Sequence, residues 1–198
     1  SQPFQVEEYR KPEVSVSVTT SKSDYVQGDT MSATINASYY FGAPVSNRPV
    51  NWVIKTQDYS FSWSNNWRYT FGSPDGYWSM PWWDYGGDYY YSGNVITSGK
   101  GTTDIDGNLK ISLPLNISKY DASQKMVLEA VVNDLSNQSI AASNVFTVHK
   151  AEIMTGLSPD KYGGNAGEEQ SVSLVTVDIS GKEIPKSSVN LSFIRRQW

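Results

Sequence analysis

The stretch FQVEEYRKPEVSV, residues 4–16, joins two strand-like segments through a basic pair and a proline. Apolar side chains alternate from Phe4, Pro12 interrupts the pattern, and alternation resumes at Val14. Alternation is typical of a half-buried strand, and proline cannot donate to a sheet ladder. The pattern predicts that residues 1–12 comprise the last strand of a preceding domain and its linker, and that a new domain begins directly afterwards.

Alternating segments then follow one another as far as residue 149, without a helical period between them. Glycine, proline and Asp-Gly turn signals separate them at the short spacings of an antiparallel sandwich. The sequence therefore predicts an all-β, immunoglobulin-like antiparallel β-sandwich over residues 13–149, with Trp52 in its core. The seven predicted strands are residues 14–19, 31–40, 50–54, 95–103, 109–113, 126–133 and 140–149.

Residues 150–198 begin the same plan again and are predicted to be the first part of a second β domain, with strands at 171–178 and 189–194. The phrase SYYFGAPVSNRPVNWVI (38–54) is similar to VTVDISGKEIPKSSVNLSFI (175–194), because in each a strand leads to a glycine, a proline and then VN. Internal similarity of this kind is the signature of repeated structural units.

Composition argues against several classes of function. The net charge is −4 and the basic residues are scattered, so the chain lacks the basic stripe that nucleic acid requires. No run of about 18 apolar residues is present, so we expect no direct membrane insertion. The chain has no cysteine, which excludes disulfides, thiol nucleophiles and thiolate metal sites within it.

An aromatic insertion, residues 57–94, separates two of the predicted strands. It holds fourteen of the 26 aromatic residues, where an immunoglobulin-like domain needs only a short connection. Alternating rings predict an extended hairpin that leaves the sandwich and turns at residues 72–76. Tryptophan gives a large contact area with few rotamers to freeze, so we predict the ligand or domain contacts among the insertion's five tryptophans. These residues are Trp63, Trp67, Trp78, Trp82 and Trp83.

Three interpretations of the insertion remain open. The favoured one is that it packs on itself or on its own sandwich, because so many rings would otherwise form an exposed apolar patch. The second is contact with another domain of the same parent protein. The third is a carbohydrate or another foreign ligand, with the rings stacking on sugars beside Asp75, Asp84 and Asp88.

Catalysis and metal chemistry find little support in the sequence. The segment Thr102–Gly107 has two aspartates and a glycine, as calcium loops do, but Leu113 stands where a later acidic ligand would be needed. An Asp-Gly hairpin turn is the favoured interpretation. His149 is the only histidine, and we expect it on the surface or in the linker. We therefore predict no enzymatic activity, no metal and no cofactor.

Four segments resemble the macroglobulin domains of bacterial alpha-2-macroglobulins. FQVEEYRKPEVSVSV resembles the junction between consecutive domains, and YYFGAPVSNRPVNWVI resembles the turn between the second and third strands of the domain that follows. GKGTTDIDGNLKISLP is similar to a later hairpin of that domain, and GEEQSVSLVTVDISGKEIPKSSVNLSFIRRQW is similar to the opening half of the next. The resemblance implies the end of one domain, one complete domain and the start of another.

The resemblance also implies a function. Alpha-2-macroglobulins are broad-spectrum protease traps: a protease cuts a bait segment, the domains rearrange, and the protease is caged, often with capture by a Cys–Gln thioester. Without a cysteine, this chain would be a structural strut, with neighbouring domains as partners and target proteases engaged elsewhere in the parent. The parent is expected to be periplasmic or at the cell surface, with a lipid anchor in some relatives. The alternative is a cell-surface carbohydrate-binding or adhesion module that uses the aromatic insertion.

Overall fold

The computed structural model describes residues 13–72, 93–133, 138–161, 163–185 and 187–193. These residues form strands and turns, and none of them belongs to a helix that could cross a membrane. The strands are β1 (Val14–Thr20), β2 (Asp24–Val26), β3 (Thr30–Tyr39), β4 (Pro49–Tyr59), β5 (Thr70–Phe71), β6 (Asn94–Thr102), β7 (Asn108–Pro114), β8 (Ser123–Asn133), β9 (Ser139–His149), β10 (Ile153–Pro159) and β11 (Val172–Asp178).

Two sheets pack face to face and form a sandwich. One has the strand order β1-β3-β7 and the other β2-β9-β8-β4-β6, and all their pairings are antiparallel except the parallel pair β2-β9. Side chains alternate between the core and solvent along β3, because successive residues of a strand point to opposite faces. The core includes Ile35 from one sheet and Leu128 and Phe146 from the other. The predicted all-β sandwich is confirmed.

Trp52 lies on the core face of β4, although it is only half-buried. It pairs with Gly99 of the edge strand β6, and its indole covers that glycine. A Cβ on Gly99 would lie 2.3 Å from the ring atom Cζ2 of Trp52. The prediction of a core tryptophan is therefore correct about the face of β4 on which Trp52 lies. It overestimates the burial, because the ring lies at the edge of the core, over Gly99 of β6.

Other expectations need correction. The strand predicted at 189–194 is not formed within residues 187–193, and the strand β10 was not predicted. The aromatic hairpin is also wrong over residues 60–69, which form an irregular segment with turns, and within the described residues 60–72 only Thr70–Phe71 pairs as a strand. The turn predicted at 72–76 lies outside the described residues beyond Gly72. The Asp-Gly turn is confirmed: Oδ1 of Asp104 accepts hydrogen bonds from the backbone N–H groups of two following residues, and Gly107 has φ +77°.

The two similar sequence phrases form the same turn. In the upstream turn, Tyr39–Ala43, the N–H of Tyr39 donates to the carbonyl of Ala43, and the N–H of Gly42 donates to the carbonyl of Tyr39. In the downstream turn, Asp178–Lys182, the N–H of Asp178 donates to Lys182 and the N–H of Gly181 donates to Asp178. Both glycines have positive φ, +94° and +83°, which a residue with a Cβ adopts only under strain.

His149 is not a surface or linker residue, and that prediction is wrong. Its side chain is 1% exposed, and its Nε2 lies 3.0 Å from Oδ1 of Asp24 on β2. The ring meets Tyr59 edge-on at 5.7 Å. Burial, and secondarily the negative charge of Asp24, raises the pKa of Tyr59 above its ordinary value. The three side chains therefore form a polar group where β4 and β9 end, in which His149 is buried, Tyr59 is half-buried and Asp24 reaches solvent.

We expect Asp24→Ala to destabilise the sandwich. Nδ1 of His149 already lacks a hydrogen-bond partner among the described residues, and this change would also remove the partner of Nε2. A buried polar group left unpaired costs about 1–3 kcal/mol. The free energy of unfolding in urea at pH 8 measures the loss, and Asp24→Asn, which keeps an acceptor oxygen, is the control. Equal losses for the two variants would contradict the assignment of the hydrogen bond.

Candidate functional site

An arm, residues 60–72, leaves the sandwich at the end of β4 and joins a second sheet. Its strand β5 pairs antiparallel with β10, with Phe71 opposite Gly156 and Thr70 opposite Leu157. The second sheet has the order β11-β10-β5, so the arm supplies one of its edge strands. Edge strands expose unpaired backbone groups, and the arm covers that edge of β10 over the two paired residues.

Aromatic rings of the arm form a small core against this sheet. Trp63 and Phe71 are 7% and 8% exposed, and Val177 of β11 is fully buried between the arm and its own sheet. Trp63 meets Tyr69 edge-on at 5.6 Å, and Phe61 meets Phe71 edge-on at 5.0 Å. Such pairs contribute roughly 0.5–1.5 kcal/mol beyond the burial of their area. The arm and the second sheet therefore share one apolar cluster, separate from the core of the sandwich.

The downstream turn receives the indole of Trp63. Nε1 of Trp63 donates a hydrogen bond of 2.8 Å to the carbonyl of Gly181. The turn is held by Asp178, whose Oδ1 accepts from the N–H and the hydroxyl of Ser180 at 2.8 and 2.6 Å and from the N–H of Lys182 at 3.0 Å. This network fixes the peptide carbonyl that the indole needs.

The hydrogen bond from the Ser180 hydroxyl, followed by that from the Lys182 N–H, lowers the pKa of Asp178 below its ordinary value. A carboxyl with a lowered pKa stabilises the fold above its unfolded pKa, near 3.9, and loses this contribution as the pH falls through the folded pKa. The turn is therefore insensitive to pH near neutrality and weakens in acid.

We expect the hydrogen bond between Trp63 and Gly181 to persist at the ordinary pKa of a carboxyl and to loosen only in stronger acid, as the pH falls through the lowered pKa of Asp178 and the carboxyl takes up a proton. The assigned indole N–H resonance of Trp63, followed by NMR from pH 7 to pH 3, measures the change. Asp178→Asn is the control, because the amide keeps an acceptor oxygen and does not titrate. The same acid-induced shift in both proteins would contradict the role of Asp178.

We expect Gly181→Ala to weaken the contact between the Trp63 indole and the downstream turn, through backbone strain and a tight approach to the ring. The residue has φ +83°, and a Cβ would lie 3.2 Å from Cδ1 of Trp63. The left-handed conformation alone costs an L-residue roughly 1–2 kcal/mol, and the tight contact adds to it. Urea denaturation followed by the Trp63 indole resonance measures the loss. Gly167→Ala, at φ +91° with open space around it, is the matched control for backbone strain.

A glycine on β10, Gly156, also leaves the space in which the arm packs. The ring of Phe71 lies over Gly156, where a Cβ would be 2.6 Å from ring atom Cζ. Sequence reasoning did not single out Gly156, Val177 or Gly181 as site residues. The signal for Gly181 was present, because it occupies the repeated turn, whereas nothing in the local pattern points to the pairing of β5 with β10.

The five tryptophans predicted as site residues differ in burial and in whether the structure describes them. Trp63 is buried at the centre of the cluster, and Trp67 is 87% exposed. Trp78, Trp82 and Trp83 lie outside the described residues. The favoured interpretation, in which the insertion packs on itself or on its own sandwich, describes residues 61–71 in part. Their rings pack on one another, and they also contact β10 and β11, which lie outside the insertion and the sandwich.

The site offers packing and hydrogen bonding. Its described members are aromatic rings, aliphatic side chains and a turn whose hydrogen bonds are made by Asp178, Ser180 and the carbonyl of Gly181. Among the residues that the structure describes, no group of three histidine, aspartate or glutamate side chains is placed to hold a metal ion. The arrangement can fix one β unit against the next.

Curated relatives with sequence similarity to this chain are alpha-2-macroglobulins. The chain is 28% identical over 190 residues to the alpha-2-macroglobulin homolog of Nostoc sp. and 25% identical over 183 residues to the alpha-2-macroglobulin of Thermotoga maritima. These matches cover 95% and 91% of the chain but only 9% and 10% of the relatives. The chain thus spans about a tenth of the length of the curated relatives it matches. No protein-family profile matches it.

Solved structures of bacterial alpha-2-macroglobulins share its fold. The native conformation of the Escherichia coli protein matches 91% of the chain, with a TM-score of 0.59 and 13% identity. The trypsin-activated form of that protein matches 90% of the chain, also with a TM-score of 0.59, at 11% identity. Each match covers 12% of the larger chain. The resemblance predicted from the sequence motifs is confirmed.

Proposed function

We propose that this chain is a non-catalytic structural segment of a bacterial alpha-2-macroglobulin that traps proteases. The observation that carries the proposal is the pairing of β5 with β10, because it joins a sandwich to the sheet that follows it. A segment built in this way holds successive β units in a fixed relation. Its contribution to a larger protein is to position its neighbours.

Sequence similarity over nearly the whole chain supports this proposal. The Escherichia coli relative has a native and a trypsin-activated form, and the fold of the chain matches both equally well. A segment whose fold is common to the two forms can keep that fold while the protein around it rearranges. The arm then keeps the second sheet attached during that rearrangement.

The absence of enzymatic activity is part of the proposal. The chain has no cysteine, so a thioester, if the whole protein has one, lies elsewhere. Its single histidine is 1% exposed and lies against Asp24, where no substrate can reach it. Target proteases would meet the bait region of the whole protein, outside this segment.

We extend the proposal to domain order and location by the same resemblance. Residues 13–149 and 150–198 would be two successive macroglobulin-type units, and residues 1–12 would complete a third. The neighbouring units of the same protein would be the partners of this segment. The protein would be exported to the periplasm or to the cell surface.

Protease trapping by the full-length protein tests the proposal. After incubation with trypsin, a trapped enzyme should lose activity toward casein and keep activity toward a small chromogenic peptide. Full casein activity at a molar excess of the protein would contradict the function. Parallel loss of both activities would indicate a conventional active-site inhibitor instead, which would also contradict trapping.

The carbohydrate-binding alternative gains no support from the comparisons. Of the two described tryptophans in the insertion, Trp63 is buried and only Trp67 presents its indole to solvent. A titration of tryptophan fluorescence with polysaccharides measures this alternative independently of protease trapping. Saturable quenching by a defined sugar would favour it.

A further inference from the structure

The second sheet has two faces, and the arm covers one of them. Val177 of β11 lies on the covered face, and Leu174 lies on the opposite one, because successive residues of a strand alternate between faces. Leu174 pairs with Leu157 of β10, and the two side chains are 42% and 39% exposed. Two further exposed apolar side chains extend this surface, Ile153 and Val172. We call it the free face, since no second sheet covers it among the described residues.

The beginning of the sandwich has the same local structure as the second sheet. One offset of 139 residues carries the pairing of β1 with β3 onto the pairing of β10 with β11. The same offset relates the upstream turn to the downstream turn, which have the same backbone hydrogen bonds, and it relates the single β-bridge that follows each turn. Each position of the second sheet therefore has an equivalent position in the sandwich.

The free face is equivalent to the core face of the sandwich. Its four apolar residues have equivalents that are at most 6% exposed, namely Val14, Val18, Ala33 and Ile35. The face under the arm is equivalent to a polar outer surface, with Ser15, Ser17, Asn36 and Ser38. Outside β10 and β11 two apolar core positions are not kept, where the sandwich has Tyr25 and Met31 and the second unit has Gly164 and Gln170. Within the paired strands, the free face has the composition of half a core.

The segment 187–193 repeats the apolar alternation at the start of β4. Val189 and Phe193 are equivalent to Val50 and Ile54, which are 1% and 2% exposed in the core of the sandwich. In the second unit they are 38% and 83% exposed, and the described segment forms no strand. β4 is paired on both edges, with β8 and β6, and the equivalents of those two strands fall beyond residue 198. The segment therefore has the pattern of a strand but not its partners.

An open cleft lies beside the free face. It has a volume of about 440 Å³ and lies between β11 and the residues that follow the downstream turn, with Ile184 and Val189 in its lining. The equivalent side chains in the sandwich, Val45 and Val50, are 2% and 1% exposed, because the second layer of the sandwich packs against them. The cleft is thus where a covering sheet would place its side chains.

From these observations we infer that the free face is the inner face of a second sandwich, covered by a sheet that contains residues 189–193 and strands from the chain after residue 198. This inference rests on the proposed function, in which the chain is a segment of a longer protein. The later strands pair with both edges of residues 189–193, as β8 and β6 pair with β4. Val189 and Phe193 then lie over the free face. The arm and the covering sheet lie on opposite sides of β10 and β11, which become a middle layer.

Hydroxyl-radical footprinting of the full-length protein and of the chain 1–198 tests this arrangement. The oxidation rate of Phe193 is compared in the two proteins, with an added adenine dosimeter to normalise the radical dose. The side chain is 83% exposed, and a fall to less than about 10%, as in a protein core, slows oxidation roughly eightfold. We expect this protection in the full-length protein and not in the chain 1–198. Met154 is the control, because the arm covers it in both proteins.

Amide hydrogen exchange in the same two proteins distinguishes strand pairing from simple contact. Peptides from residues 187–193 should exchange slowly in the full-length protein, because both edges of the new strand are hydrogen-bonded. They should exchange rapidly in the chain 1–198, where this segment forms no strand. Protection of Phe193 without protection of these amides would overturn the inference, because another partner would then cover the face without adding strands.

Equal oxidation of Phe193 in the two proteins would also overturn the inference. Protection in the chain 1–198 that increases with its concentration would overturn it as well, because the occupant would then be a second copy. The result is separate from the protease-trapping assay. Loss of trapping with Phe193 and the amides protected would contradict the proposed function alone, and trapping with Phe193 exposed would contradict the second sandwich alone.

Discussion

The substitution Trp63→Ala is expected to detach the arm and to unfold the second sheet while the sandwich stays folded. It removes a ring that is 7% exposed and the hydrogen bond to the carbonyl of Gly181. Truncating a buried tryptophan to alanine costs about 3–5 kcal/mol, and among the residues that the structure describes the shared cluster has only two other buried members, Phe71 and Val177. The loss therefore falls on β5, β10 and β11.

Hydrogen exchange detected by mass spectrometry measures this result. Peptides that contain β10 and β11 should lose protection in Trp63→Ala, and peptides from β8 in the sandwich should keep it. Trp67→Ala is the matched control, because it removes the same side chain from a position that is 87% exposed. Unchanged protection of β10 and β11 in Trp63→Ala would show that the second sheet does not depend on the arm.

A disulfide between β5 and β10 is expected to stabilise the second sheet by a free energy comparable to the loss in Trp63→Ala. Thr70 and Leu157 are paired across the two strands and both reach solvent, so Thr70→Cys with Leu157→Cys places two accessible thiols opposite each other. Paired residues of antiparallel strands have Cα atoms about 4.5–5.5 Å apart, within the range of a disulfide. The chain has no other cysteine, so no competing bridge can form.

The bridge would close a loop of roughly 90 residues, for which typical stabilisation is about 2–4 kcal/mol. Thermal unfolding of β10 and β11 with and without dithiothreitol measures the gain. Thr70→Cys with Thr155→Cys, two residues out of register on β10, is the control for the substitutions. A bridge that forms as readily in the control would contradict the register between the arm and the second sheet.

The sandwich could be predicted from the sequence because its signal is local. Burial on one face of a strand imposes a period of two, and β3 and β8 carry that period in their own residues. The repeated turn was also visible, since glycine at a positive φ leaves a trace in the sequence.

The site could be predicted only in outline, because its contacts are not local. Trp63 and Trp67 are both tryptophans in an irregular segment, and only the position of the second sheet decides which one is buried. The burial of His149 depends on β2, more than 120 residues earlier in the chain, which pairs with β9 and brings Asp24 to the ring. Pattern within a strand carries no information about such partners.

The arm has a consequence for the torsional freedom of the molecule. Two bodies joined by one short tether, such as residues 150–152, can swing and twist about it. The arm adds an anchorage at Gly156 and Gly181, away from that tether, and an assembly fixed at two separated points can pivot only about the line between them. Release of the arm from β10 and from the downstream turn would therefore restore the lost rotations without breaking a covalent bond.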